Sequence, residues 1–317
     1  MITGAAQMDG AILVCSAQDG AMEQTREHLL LAKQIGIKYI VVFINKIDVV
    51  SDLDQIQLVK EEIKEELERL GYNAENTPMI GGSALFALEG RDPEKGEKKI
   101  VELLEAVDSH IPTPERNIDA PFKMYIEDIF GIPKVGTVIT GRVEQGTLKV
   151  GEEVEISGLE RKAIRTVVTG LEMHNKVLGE EGAQPGDGIG IKLRGVAKDD
   201  VERGQAVSKV SEQEKLPEDK RVKTYSKFSA TAYISSKEER GRHTSFRSGY
   251  RPQFFFRTAD VTGTISLKNK DEEVKPGNRV EFTVELMKPL VIEEKERFIM
   301  REGGSTIGQG TVLETIE

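Results

Sequence analysis

Two hydrophobic rhythms divide the chain. Ala11-Ile12-Leu13-Val14-Cys15 and Tyr39-Ile40-Val41-Val42-Phe43-Ile44 are short continuous apolar runs. Runs of that length, rich in β-branched residues, predict strands buried in a parallel sheet. After each of them the apolar positions recur every three or four residues. Gln24 to Ile35 reads as one helix. Asp54 to Leu70 reads as another, with Ile56, Val59, Ile63, Leu67 and Leu70 on one stripe and glutamates on the solvated faces. Thr77 to Ile80 is a third strand and Lys98 to Ser109 a third helix. The order βαβαβα predicts part of a doubly wound α/β domain.

The rhythm changes at Ile111-Pro112-Thr113-Pro114-Glu115-Arg116, a linker stiffened by prolines. Beyond it the alternation has period two, as in Thr137-Val138-Ile139-Thr140 and Val154-Glu155-Ile156. Glycines at 131, 136, 141, 146 and 151 punctuate it, and no helical pattern is evident. That predicts a small antiparallel barrel. A polar linker, Leu216 to Lys220, precedes a second strand-rich stretch ending at Glu317. The expected layout is a partial α/β domain over residues 1–112, a β-barrel over 121–213 and a second β-barrel over 221–317.

Composition narrows the function classes. With 317 residues, two or three domains are expected, and 38% hydrophobic with 31% charged residues is ordinary for a globular protein. No apolar run is long enough to span a bilayer, so no membrane role is expected. The amino terminus lacks the pattern of a secretion or transit signal, which points to the cytoplasm or an organellar matrix. The single cysteine, Cys15, excludes an intramolecular disulfide and a cysteine-based zinc site, and it reads as a buried core thiol. His28, His110 and His174 have no metal-ligand or nucleophile partner at motif spacing. No metal site and no catalytic triad is predicted.

The net charge of −10 argues against DNA and against indiscriminate nucleic-acid binding. Residues 221–270 are the exception, with eleven Lys and Arg against Glu238, Glu239 and Asp260, a net +8. There Arg240-Gly241-Arg242-His243 and Tyr250-Arg251-Pro252-Gln253-Phe254-Phe255-Phe256-Arg257 interleave guanidinium groups with aromatics. Alternation places Phe254 and Phe256 inside a barrel and Arg251, Gln253 and Arg257 outside, where arginines can grip phosphates.

Two segments carry nucleotide chemistry. Asn45-Lys46-Ile47-Asp48 follows the second strand, and Ser83-Ala84-Leu85 follows the third. Guanine differs from adenine in its O6 acceptor and its N1–H and N2–H donors. The Asp48 carboxylate can accept both donors, and Asn45 can reach the N7/O6 edge or brace neighbouring loops. Lys46 can lay its stem over the base, while Ser83, Ala84 and Leu85 close the other side with a backbone N–H toward O6. The sequence contains no phosphate-binding G-x-x-x-x-G-K-[ST]. D-x-x-G spacing occurs at Asp128–Gly131, Asp187–Gly190 and Asp260–Gly263, all in the strand-rich half, and turns are expected there.

These segments resemble the elongation factor Tu family of translational GTPases. The resemblance is carried by Met1 to Val14, Gln24 to His28, Asn45 to Asp48, Ser83 to Leu85 and Gly141-Arg142-Val143-Glu144. Gly241 to Thr244, Gly249 to Phe254 and Asp260-Val261-Thr262-Gly263 complete it. It covers essentially the whole chain and implies a protein that binds GTP or GDP with Mg2+ and delivers aminoacyl-tRNA to the ribosome, served by a guanine-nucleotide exchange factor. The family's aminoacyl pocket resembles Glu127, Asp128, Phe130, Thr140, Glu172 and His174. Its contacts to the tRNA T-stem resemble Arg242, His243, Arg251, Gln253, Thr262, Glu302 and Gly303.

In the family, the sequence resembling residues 1–14 follows the phosphate loop, the first switch and the segment holding the catalytic histidine. The chain is therefore expected to be a fragment without those parts or the magnesium ligands, and inactive as a free GTPase. Asn175, Gly188, Val135 and Ser305 depart from the family's pattern, as do Ala21 and Glu23. The alternative expectation is a GTP-independent RNA- or protein-binding paralogue built on the two barrels.

Overall fold

The computed structural model describes residues 8–159, 161–237, 239, 241–269 and 272–316. The start of the first family-like run, together with Glu238, Arg240 and Lys270 of the basic stretch, lies outside them. The chain divides into two compact units, residues 1–114 and 115–317.

In the first unit, β1 (Ala11–Ser16), α1 (Glu23–Ile35), β2 (Ile40–Asn45), α2 (Leu53–Arg69), β3 (Met79–Gly81), α3 (Ala84–Glu89) and α4 (Glu97–His110) follow in order. The strands form a parallel sheet ordered β1-β2-β3. The central strand, β2, is buried on both faces from Ile40 to Ile44, as its unbroken apolar run requires. The α2 stripe does what its spacing predicts, with Val59, Ile63 and Leu67 buried against Leu13, Val42 and Ile44. The Asp52 side chain caps the first turn by accepting from the Asp54 N–H at 2.9 Å.

Two expectations are corrected here. The first strand is not buried on both faces. Leu13 and Cys15 point into the core, while Ile12 is 45% and Val14 57% exposed. An uninterrupted apolar run fixes the strand but not which faces are covered. Residues 84 and 85 are also not loop. Ser83 is the N-cap of α3, its hydroxyl accepting from the Phe86 N–H at 3.2 Å, and Ala84 and Leu85 form the first helical turn. Six residues are too few to display a helical period.

The second unit holds two barrels. The first comprises β4 (Lys123–Tyr125), β5 (Asp128–Ile132), β6 (Gly136–Gln145), β7 (Glu153–Gly158), β8 (Arg161–Met173), β9 (Lys176–Val177), β10 (Gly188–Leu193) and β11 (Ala206–Lys209). The pairings β10-β6-β4-β11-β7-β8 close on themselves through β8 and β10, with β5 and β9 as flanking strands. Phe122, Met124, Ile126, Ile139, Val168 and Leu171 fill it. A one-turn helix, α5 (Val210–Gln213), follows, in a region where the sequence showed no helical pattern.

The second barrel comprises β12 (Thr224–Ile234), β13 (Gln253–Phe256), β14 (Ala259–Leu267), β15 (Arg279–Val291), β16 (Arg297–Glu302) and β17 (Ser305–Ile316). It closes in the order β12-β15-β14-β13-β16-β17. Phe228, Phe254, Phe256 and Phe298 meet at its centre, with ring centroids 5.4–6.0 Å apart. Closing both sheets leaves no open edge in either ring, which suits short strands with one polar face.

The barrels touch through a partly buried polar cluster. Arg257 lies 4.2 Å over the ring of Tyr125, 2.8 Å from Glu296 and 3.6 Å from Glu293. Lys123 pairs with Glu293, and the Leu159 N–H donates to the Pro289 carbonyl at 2.8 Å. Arg257 is therefore not the outward phosphate grip that strand alternation predicts. The neighbouring barrel occupies its outer face, and only tertiary contact decides that.

The D-x-x-G expectation also changes. Asp128–Gly131 lies within β5 and Asp260–Gly263 within β14, leaving only Asp187 in a turn. Among the described residues, no helix is long and apolar enough to cross a membrane.

Candidate functional site

The guanine-like segments meet at the carboxyl ends of two adjacent parallel strands. Asn45 ends β2, and Ser83 stands two residues beyond the end of β3. The Gly82 N–H donates to the Ile44 carbonyl at 3.0 Å, and the Ile47 N–H donates back to the Gly82 carbonyl at 3.3 Å. The Asn45 Oδ1 accepts from the Lys46 N–H at 2.8 Å and from the Ala84 N–H at 3.0 Å. Both bonds are of the kind a bracing role requires. The second joins the end of β2 to the first turn of α3 across 39 residues of chain.

Lys46 adopts a left-handed conformation, φ 64°, with an exposed side chain. Asp48 sits in a single 3-10 turn, half-buried. Its Oδ1 is shut off from solvent and accepts no hydrogen bond. A buried acceptor without a donor is costly, so such an atom marks a place built for one. Guanine N1–H and N2–H are donors of the right kind. The Ser83 side chain is buried, whereas Leu85 is 50% exposed beside the strand ends. The unpartnered acceptor of Asp48 is of the chemical type that guanine's N1–H and N2–H would require. Among the described residues, no group of three or more His, Cys, Asp or Glu is placed to hold a metal ion, and none is assigned to Mg2+.

On the first barrel, register brings part of the predicted pocket into one row. Asp128 on β5 is opposite Thr140 on β6, which is opposite Gly190 on β10, which is opposite Glu172 on β8. The alternate neighbours Ile139, Ile189, Ile191 and Leu171 face the core, so the row lies on the outer surface. The Glu127 N–H donates to the Thr140 carbonyl at 2.8 Å, which fixes Glu127 beside the row. Phe130 stands two residues along β5, 49% exposed and opposite Val138. His174 and Asn175 form the β8–β9 turn with φ 51° and 62°, conformations that Asn tolerates well. Gly190, the member that lets the row close, was read from the sequence only as part of a D-x-x-G spacing. Gly188 faces Arg142.

On the second barrel, Gln253 is opposite Thr262 on one side and Arg301 on the other. Arg251, Gln253, His243, Glu302 and Gly303 are exposed. Arg242 is different. Its side chain is only 9% exposed and pairs with Glu302 and the Tyr250 hydroxyl. Tyr250 and Arg301 were not singled out from sequence as site residues. Their place in the Arg- and aromatic-rich stretch or beside Glu302 was the available signal.

Cys15 needs no functional reading, because burial pushes its thiol up to about 11 and the Sγ faces the Phe43 carbonyl. Burial likewise pushes Glu296 up to about 7 against the opposing pull of Arg257.

Comparison with known families agrees with this geometry along the chain. Residues 1–113 match the elongation factor Tu GTP binding domain, 136–208 match elongation factor Tu domain 2, and 221–316 match the elongation factor Tu C-terminal domain. Three consecutive domain matches in one chain, over a partial α/β sheet and two closed barrels, show that the chain belongs to the elongation factor Tu family, whose fold is that of a translation elongation GTPase.

Proposed function

We propose that this chain recognises guanine through Asp48, with the Asn45 brace holding the loops, and carries aminoacyl-tRNA on its barrels in translation elongation. The observation that supports it most is the solvent-excluded, unpartnered Oδ1 of Asp48 at the carboxyl end of the sheet. In this reading Lys46 covers one face of the base, and the segment from Ser83 to Leu85 closes the other. The outer row Asp128–Thr140–Glu172, with Glu127, Phe130 and His174, receives the aminoacyl end. Arg251, Gln253, Thr262, Glu302 and Gly303 face the T-stem. Ribosome and exchange-factor partners follow from family membership.

Guanosine alone tests the base pocket without depending on phosphate contacts. Titration of the isotope-labelled chain is expected to move the amide signals of Lys46, Asp48, Ala84 and Leu85, at millimolar affinity, about −4 kcal/mol. Adenosine is expected to leave them in place. Asp48→Asn replaces an acceptor with a partial donor and is expected to abolish the guanosine response. An unchanged response in that variant would sink the guanine reading.

A second reading, a GTP-independent RNA- or protein-binding module, is favoured by one observation. Every residue of the two tRNA-like groups lies between Glu127 and Gly303, inside the barrel unit. Tight, salt-sensitive aminoacyl-tRNA binding that ignores guanine nucleotide would favour it over the first.

A further inference from the structure

A buried arginine clamp stands behind the exposed residues of the second barrel. The Arg242 Nε donates to the Thr244 carbonyl at 3.1 Å, and Nη2 donates to the Thr244 hydroxyl at 3.3 Å. Nη1 reaches both the Tyr250 hydroxyl and a carboxylate oxygen of Glu302. The guanidinium also lies 4.3 Å over the Tyr250 ring, which packs on Phe246 with centroids 4.8 Å apart. Burial raises the Tyr250 hydroxyl well above its ordinary range, so it stays a neutral donor and acceptor. Four of the five N–H donors of Arg242 are thus engaged inside the protein.

What this clamp holds is a glycine tip, whose Gly304 carbonyl also accepts from Arg301 Nη2. Glu302 pairs with Ser305 across a two-residue turn, and both turn residues, Gly303 (φ 55°) and Gly304 (φ 88°), are left-handed. Glycine supplies that geometry and also the most conformational freedom of any residue. A Gly-Gly tip whose last strand residue is tied to a buried, stacked guanidinium loses much of that freedom. Arg242 and Glu302 are 60 residues apart, so the tie joins the loop before β13 to the hairpin between β16 and β17.

We propose that Arg242 and Tyr250 are positioning residues that fix the Glu302 carboxylate and the Gly303–Gly304 tip in place for an RNA duplex backbone, and that Arg242 itself does not neutralise a phosphate. The role assigned to the tip rests on the tRNA reading above; the tie itself does not. Arg251, which is exposed, is the contrasting case of a side chain free to face phosphate. A phosphate contact releases counterions and steepens the salt dependence of binding, whereas a positioning residue changes affinity without changing that slope.

The test uses the full chain with Arg242→Met, Tyr250→Phe and Arg251→Met. Without RNA, the backbone order parameters of Gly303 and Gly304 are expected to fall from about 0.8 toward 0.6 or below in the first two variants. The barrel strands should stay unchanged, which a general loss of stability would not produce. With aminoacyl-tRNA, Arg242→Met is expected to weaken binding about tenfold at an unaltered salt slope, while Arg251→Met lowers the slope by about one. Unchanged order parameters in both Arg242→Met and Tyr250→Phe overturn the proposal, as does a slope loss of about one in Arg242→Met. If the wild-type chain binds no aminoacyl-tRNA, the RNA role of the tip is overturned, and the order parameters still report separately on the tie.

Discussion

The Ala84 N–H donates to the Asn45 side chain at 3.0 Å, joining the first turn of α3 to the end of β2. The same Asn45 oxygen also accepts from the Lys46 N–H, so a single amide sets the spacing of both guanine-like segments. This explains why asparagine is useful there even before any base is present. Its carbonyl oxygen has two lone pairs, and Lys46 and the first turn of α3 each supply one donor.

Replacing Asn45 by Ala should therefore loosen both loops. Each lost bond is worth about 1 kcal/mol net, so amide exchange at Lys46 and Ala84 is expected to quicken roughly five- to tenfold. Asn45→Asp keeps an acceptor oxygen and is expected to retain most of the protection. Equal exchange in Asn45→Ala and wild type would show that the brace carries no weight.

The interface between the barrels should respond to pH through Glu296. Its pKa in the folded chain is about 7 against an ordinary 4.5, so the folded state holds the proton more tightly than the unfolded state. That contribution to stability is fully present below about 4.5 and is lost as the pH rises through 7. Its full size is on the order of 3 kcal/mol. Urea unfolding of the barrel unit at pH 5.5 and pH 8, compared with Glu296→Gln, measures it. The wild type is expected to gain stability on acidification within this window, and the Gln variant should lack that gain. Glu293 acts in a different window. Burial pushes its carboxyl up, but Lys123 and Arg257 together outweigh that and hold it below the usual carboxylate range. Its contribution is present above 4.5 and fades only as the pH falls further.

Phe298 sits at the centre of the aromatic cluster, 5.4 Å from Phe256 and 5.5 Å from Phe254. It is 2% exposed. Phe298→Ala is expected to cost the second barrel about 3–5 kcal/mol in urea unfolding, because closed strands cannot collapse into the void. Phe255 lies on the outer face, half-buried under Arg301, and its replacement by Ala should cost clearly less. Equal losses would mean that the cluster is not the packing centre.

Cys15 should be nearly inert. With its thiol raised to about 11, alkylation by iodoacetamide at pH 8 is expected to run about a hundredfold slower than for a free thiol. Unfolding in urea should restore the ordinary rate. Fast labelling of the folded chain would contradict the burial of Cys15 on the core face of β1.

Much of this protein could be read directly from the chain. The apolar runs of β1 and β2, the stripe of α2 and the period-two alternation beyond residue 116 each encode their own element. Such patterns are local, because a strand or helix repeats within ten to twenty residues. The guanine-like segment from Asn45 to Asp48 was legible for the same reason, since its residues are neighbours in sequence. Tertiary structure decided whatever depends on a distant neighbour. The outward face of β1 is exposed although its sequence is apolar throughout. The row from Asp128 through Thr140 and Gly190 to Glu172 exists only because barrel closure sets the register of four strands. Strand alternation placed Arg257 outside, yet there it stacks over Tyr125 of the other barrel. Arg242, charged and flanked by residues typical of a phosphate site, pairs with Glu302, 60 positions away. Periodicity reports which way a side chain points; only the folded chain supplies what it meets there.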